Sequence, residues 1–143
     1  MFSKTCEYAI KALIFIAQKT NSERKVGIKD VAEGIDSPEH FIAKILQTLS
    51  KKGFVNSSKG PNGGFYMDEN TLEVTLADVV KEIDGDKILY ECGIGLKQCS
   101  ETHPCPIHND FKVIREQIVE MLEKSKIRMF IENLDQNITF LKT

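Results

Sequence analysis

Long apolar runs are missing from this sequence. No segment of its 143 residues approaches the roughly 18 to 20 consecutive apolar residues that a membrane span needs; the stretch Ala9–Ala17 is broken by Lys11, and no small-residue cleavage site follows it. A cytoplasmic protein with no membrane partner is expected. Close cysteine pairs are missing too, since the four cysteines stand at positions 6, 92, 99 and 105. Cytosolic thiols stay reduced, which argues against a disulfide framework, and structural zinc sites usually use pairs two to four residues apart. A nucleotide-binding glycine loop and a nucleophile with an orienting base are also absent, so neither an enzyme nor a small-molecule substrate is expected.

What is present is an ordinary globular composition, 41% hydrophobic and 28% charged, enough for one core plus an extra helical element. The net charge of -2 conceals an asymmetry. Residues 1–66 hold ten Lys/Arg against six Asp/Glu, a local +4, whereas residues 67–143 hold nine against fifteen, a local -6. Phosphate attraction supplies most non-specific DNA affinity, so the basic first half is where nucleic acid would bind.

The pattern along the chain predicts a mainly α protein. Residues 5–18 are apolar on nearly every side, as a buried helix requires. IKDVAEGI places Ile28, Val31, Ala32 and Ile35 at helical spacing, with Gly34 near the end. A third helix follows Asp36-Ser37-Pro38, with Ser37 as N-cap, Pro38 at the first helical position, and Phe41, Ile45, Leu46 and Leu49 on one inward stripe. Two helices joined by a tight turn form a helix-turn-helix, and FVNSSKGPNGGFYM reads as a hairpin, a two-stranded wing behind it. A fourth helix is expected over 75–84 and ends at Gly85. Periodicity then lapses until a long amphipathic helix over 109–124, and apolar spacing resumes from Ile127 through Leu141 as a final helix. The expected division is therefore a winged helix-turn-helix domain (1–85), a cysteine-rich loop (86–108) and C-terminal dimerisation helices (109–143), whose apolar surface implies a homodimer.

Two constellations carry chemistry. The second helix of a helix-turn-helix presents its N-terminal residues to base edges, here Ser37, Glu39, His40 and Lys44. At the wing tip Lys59, Pro61, Asn62 and Gly63 form a low-bulk turn that could follow a phosphate backbone or enter the minor groove. The other constellation is Cys92-x6-Cys99-x5-Cys105-x2-His108. Thiolates select zinc or iron–sulfur clusters, and these wide gaps favour a cluster, either 2Fe-2S or 4Fe-4S, over a single zinc ion or metal-free redox thiols. Three sulfurs leave a ligand position open; His108 is nearer than His103.

EYAIKAL, IKDVAE, LSKKGFV, SKGPNGGF, TLADVVKEIDG and the cysteine run through CPIH together resemble winged-helix regulators of the Rrf2 type, including the IscR- and NsrR-like iron–sulfur branch and cluster-free CymR-like members. The resemblance implies a homodimer binding double-stranded promoter DNA at a palindromic site. Cys92, Cys99 and Cys105 match its cluster ligands, His108 the histidine of IscR-like members, Lys59 a wing residue reaching DNA and Lys44 a base reader. Glu7 stands where NsrR-like proteins carry an acidic ligand given to the partner subunit, and the first cysteine gap is six residues where five is common. The expected function is a regulator whose operator affinity follows a cluster that senses nitric oxide, redox or iron–sulfur status. The alternative is a cluster-free regulator of the same family controlled by thiol oxidation, zinc or a protein partner.

Overall fold

The first helix organises the rest. In the computed structural model, which describes residues 1–143, α1 (Lys4–Asn21) starts where the Ser3 hydroxyl accepts a hydrogen bond from the Cys6 amide at 3.0 Å. Ala9, Ala12, Leu13, Ile16 and Ala17 are fully buried around its circumference, so other elements cover it on several sides. Against it lie α2 (Ile28–Gly34) and α3 (Glu39–Lys51). Asp30 closes the start of α2 by accepting the Gly27 amide at 3.1 Å.

Two expectations about α3 need correction. Pro38, in an extended conformation (ψ 131°), is the N-cap, and the helix begins at Glu39. Ser37 does not cap it: its buried hydroxyl oxygen accepts no helix amide, and its own amide donates to the Ala32 carbonyl at 3.0 Å in the closing turn of α2. The buried stripe is Ile42, Ile45, Leu46 and Leu49, whereas Phe41 is 49% exposed. Once Ile42 points inward, helical geometry turns its predecessor about 100° away.

The wing follows as β1 (Asn56–Ser58) and β2 (Gly64–Tyr66), antiparallel, with Asn56 opposite Tyr66 and Ser58 opposite Gly64. Val26 and Phe65 exchange backbone hydrogen bonds of 3.0 and 2.7 Å, which ties the hairpin to the chain before α2. That pairing requires Gly64: its φ is +144°, and an added Cβ would lie 2.8 Å from the Val26 carbonyl oxygen. Helix α4 (Leu76–Asp84) opens with a reciprocal cap between Thr75 and Asp78, at 3.1 and 2.9 Å.

The aperiodic segment contains one short helix, α5 (Lys87–Tyr90), not foreseen from the sequence. Its Leu89 joins Cys6, Ala77, Val80 and Leu122 in a second, smaller core. The long helix α6 runs from His108 to Lys124 and ends at Ser125. Beyond it the backbone turns back: Leu76 donates to Ser125 and Ile127 donates to Val74, both at 2.9 Å. A 3-10 turn (Ile127–Phe130) and α7 (Ile131–Asp135) then bury Ile127, Ile131 and Leu134 in the main core with the apolar residues of α1. This corrects the expectation of a helix through Leu141, since Asn137 adopts φ +55° and Ile138 is 61% exposed. After Ser125 the core takes Ile127, Ile131 and Leu134, while Met129, Ile138 and Phe140 stay exposed; on α6 the exposed large apolar side chains are Val113, Ile114 and Met121.

Candidate cluster site and nucleic-acid interface

The loop between α5 and α6 folds its cysteines against the first turns of α6. Cys92 and Cys105 are buried, Cys99 is half-buried, and the His108 side chain is only 4% exposed. His108 follows Cys105 closely, its amide donating to the Cys105 carbonyl at 3.0 Å, and its Nδ1 stands 3.4 Å from the Cys99 Sγ. The loop fits closely over the helix at Gly93, where a Cβ would lie 2.8 Å from the Phe111 ring.

The surroundings treat the sulfurs unequally. Backbone amides of Ile94 and Leu96 hold the Cys92 thiol below its ordinary range, with Cys105 adding to the effect. Burial pushes the Cys105 thiol up, and the neighbouring Cys92 pushes it further. N–H groups aimed at sulfur stabilise thiolate, the form that ligates metal. His108 Nε2 is buried and makes no hydrogen bond; a Glu101 carboxylate oxygen lies 3.4 Å away. Glu101 is itself paired with Lys112, which holds its carboxyl below the usual range. No three His, Cys, Asp or Glu side chains close to the spacing of one metal ion's ligands. Three sulfurs, amides directed at one of them and a buried imidazole with an unpaired nitrogen fit the donor chemistry of an iron–sulfur group, which is wider than an ion.

The other candidate ligands lie elsewhere. Glu7, on the first turn of α1, pairs with Lys4 at 3.0 Å. His103 is exposed, with Nδ1 3.2 Å from the Thr102 hydroxyl. The fourth cysteine, Cys6, is fully buried in the smaller core, where burial, reinforced by Asp84, pushes its thiol up to about 12. Sequence reasoning passed over Arg115, whose guanidinium donates to the Cys99 Sγ at 3.1 Å and to the Glu91 carbonyl at 3.0 Å. Its spacing from His108, seven residues and therefore two helical turns, was the available signal.

The nucleic-acid candidates are divided between α3 and the wing tip. Glu39, His40 and Lys44 are exposed on α3, and Lys59, Pro61 and Asn62 on the turn between β1 and β2, with Gly63 half-buried beside them. Ser37 differs, because its hydroxyl oxygen is buried and has no partner. Lys25, absent from the sequence candidates, supports the wing: its ammonium bonds the Ser58 hydroxyl at 3.2 Å and sits 5.0 Å from the centre of the Tyr66 ring.

This architecture and sequence have known counterparts. A chain of Aquifex aeolicus, named as an HTH-type transcriptional regulator, is 34% identical over 98% of this chain and 96% of its own length. The HTH-type transcriptional regulator NsrR of Bacillus licheniformis is 27% identical, with 90% of each chain covered. Among solved structures, CymR, the global cysteine regulator of B. subtilis, superimposes with a TM-score of 0.74 at 20% identity, over 92% of this chain and 96% of that one. IscR of T. potens gives the same TM-score at 19% identity, over 97% and 91%. Both structural likenesses concern the fold, a winged helix-turn-helix. The family model described as an iron-dependent transcriptional regulator, Rrf2, matches residues 2–133. The chain therefore belongs to the Rrf2 family and is a winged-helix, DNA-binding transcription regulator, not an enzyme.

Proposed function

We propose that this regulator works as a homodimer whose affinity for promoter DNA is set by an iron–sulfur cluster held by Cys92, Cys99 and Cys105. The observation that carries the reading is the buried His108 at the head of α6, with Nδ1 3.4 Å from the Cys99 sulfur. His108 is the fourth donor that the same chain supplies; Glu7 is the candidate that a partner subunit would supply. When bound, the cluster supplies a centre reactive toward nitric oxide and oxidants. Cys92 continues from α5 and Cys105 leads into α6, so the three ligands join the segment after the winged domain to the helix whose exposed face meets a second copy. In that dimer, α3 of each protomer presents His40 and Lys44 to a major groove and the wing presents Lys59 and Asn62 to the adjoining backbone. Two half-sites lie about one helical turn apart, ~34 Å, so the spacing between the two α3 helices sets affinity. Nitric oxide, redox state and iron–sulfur supply are the signals such a site would report from the cytoplasm.

Anaerobic purification with an absorption spectrum and iron and sulfide assays tests this directly. The wild type is expected to be coloured and iron-loaded, and Cys99→Ala colourless. Loaded and metal-free dimers should differ in affinity for a duplex selected from a random pool; equal affinities would remove the sensing role. A colourless, iron-free wild type that still bound the duplex would move control to thiol oxidation, zinc or a protein partner, a reading to which the adjacent Cys92 and Cys105 thiols also lend themselves.

A further inference from the structure

Helix α6 presents three side chains to the cysteine loop from one face, at the spacing of successive turns: His108, Phe111 and Arg115. The first lies beside Cys99 and the second beneath Gly93. The third touches the loop twice, at positions eight residues apart. One terminal nitrogen of Arg115 donates both to the carbonyl of Glu91, immediately before Cys92, and to the sulfur of Cys99. The same guanidinium carbon lies 5.9 Å from the centre of the Phe111 ring, so the aromatic face supports the group from within its own helix. The backbone carbonyl at 91 and the sulfur at 99 are thereby fixed to a single point on α6.

We propose that Arg115 is a positioning residue for the cluster site: it clips both ends of the 91–99 loop to α6, placing Cys92 and Cys99 for a shared ligand and supplying positive charge and an N–H donor to the Cys99 sulfur. The inference rests on the cluster reading above for its ligand, but the clip itself is a property of the protein chain. Hydrogen bonds to ligating sulfur and groups that orient ligands govern how firmly such a centre is held and how readily it accepts an electron. Lys in this position would keep the charge but replace the planar guanidinium beside the Phe111 ring with a compact, more strongly hydrated ammonium on a different reach.

The experiment compares the full-length wild type with Arg115→Met and Arg115→Lys. Iron-loaded protein is challenged with the chelator EDTA and titrated with dithionite, which supplies the electron, while metal-free protein is digested with a protease that cleaves within 91–105. Arg115→Met is expected to release iron about 10- to 100-fold faster than wild type. Its midpoint potential should be more negative, because a charge and a donor that stabilise the reduced state are gone. Its metal-free loop should be cut sooner, with helical circular dichroism and unfolding midpoint unchanged, and Arg115→Lys should fall between. Iron release and loop cleavage both equal to wild type in Arg115→Met overturn the proposal. Wild type that takes up no iron overturns the cluster reading, and the metal-free digestion then decides the clip alone: faster cleavage of the variant supports it, equal cleavage overturns it. Should Arg115→Met fail to fold, Arg115→Lys replaces it, and equality with wild type in both assays is again the overturning result.

Discussion

Cys6 and Cys92 are the same residue type placed in opposite surroundings. Cys6 is sealed in an apolar core near the Asp84 carboxylate and stays a thiol to about pH 12, whereas amides directed at Cys92 favour its thiolate. Thiolate is the form that reacts and ligates, so iodoacetamide at pH 8 should leave Cys6 unmodified in the folded, metal-free chain while labelling at the 92–105 loop proceeds. Peptide mapping by mass spectrometry would read the difference. Cys6→Ala should keep the colour and iron of the wild type; loss of both would give Cys6 a ligand role that its burial opposes. The sequence separated these cysteines only by distance along the chain. Helical spacing places Arg115 on the face of His108, but its contact with the sulfur and the amides at Cys92 depend on how an aperiodic loop folds over a helix, and periodicity arguments do not reach such segments.

At the scale of elements, the wing and α3 show where local pattern suffices. GPNGG between two short extended runs specified the hairpin, and the Gly64 conformation at the Val26 pairing gives that reading its steric basis. Lys59 projects from this turn in the open, so its contribution to DNA binding should be a phosphate contact with little sequence preference. Lys59→Ala is expected to weaken binding to different duplexes by a similar factor and to lower the slope of log K against log salt by about 1 per subunit contact, measured by fluorescence anisotropy over a salt series. A large effect confined to one duplex sequence would instead make Lys59 a base reader. Two features of α3 were misread for one reason: Phe41 and Ile42 both suit an inward stripe, and only the tertiary placement of the helix chooses between them. Its start at Glu39 likewise depends on Ser37 being held by the end of α2, a contact between consecutive elements that spacing rules do not contain.

For the whole molecule, the decisive arrangement is the return of the chain after α6. Glu73 meets both Lys126 and Arg128 across that return, and Lys126 first, then Arg128, hold its carboxyl below the ordinary 4.5. A depressed folded-state value means that the stabilisation is complete above the unfolded-state value and fades as pH falls through the folded one. Glu73→Gln should therefore lower the Tm slightly at pH 7, by the modest amount typical of an exposed ion pair, and the gap to wild type should narrow as pH falls below 4.5. A gap that did not narrow at all on acidification would assign the effect to packing. With the last turns folded back, α6 is left carrying Val113, Ile114 and Met121 in the open. Ile114→Glu is expected to shift the molecule from dimer to monomer in sedimentation and to reduce operator affinity; an unchanged dimer would place the partner surface elsewhere. The sequence pattern assigns self-association to the whole of 109–143; within that range the core takes up Ile127, Ile131 and Leu134, since apolar spacing alone does not tell an internal neighbour from an external one. The return has a further consequence, for synthesis. Residues 127–134 help seal α1, so a ribosome that has made the wing and all three loop cysteines still holds an unfinished core. The nascent chain would carry its sulfurs out of the exit tunnel before the surrounding fold closes, exposing them to iron donors and to proteases during the same interval.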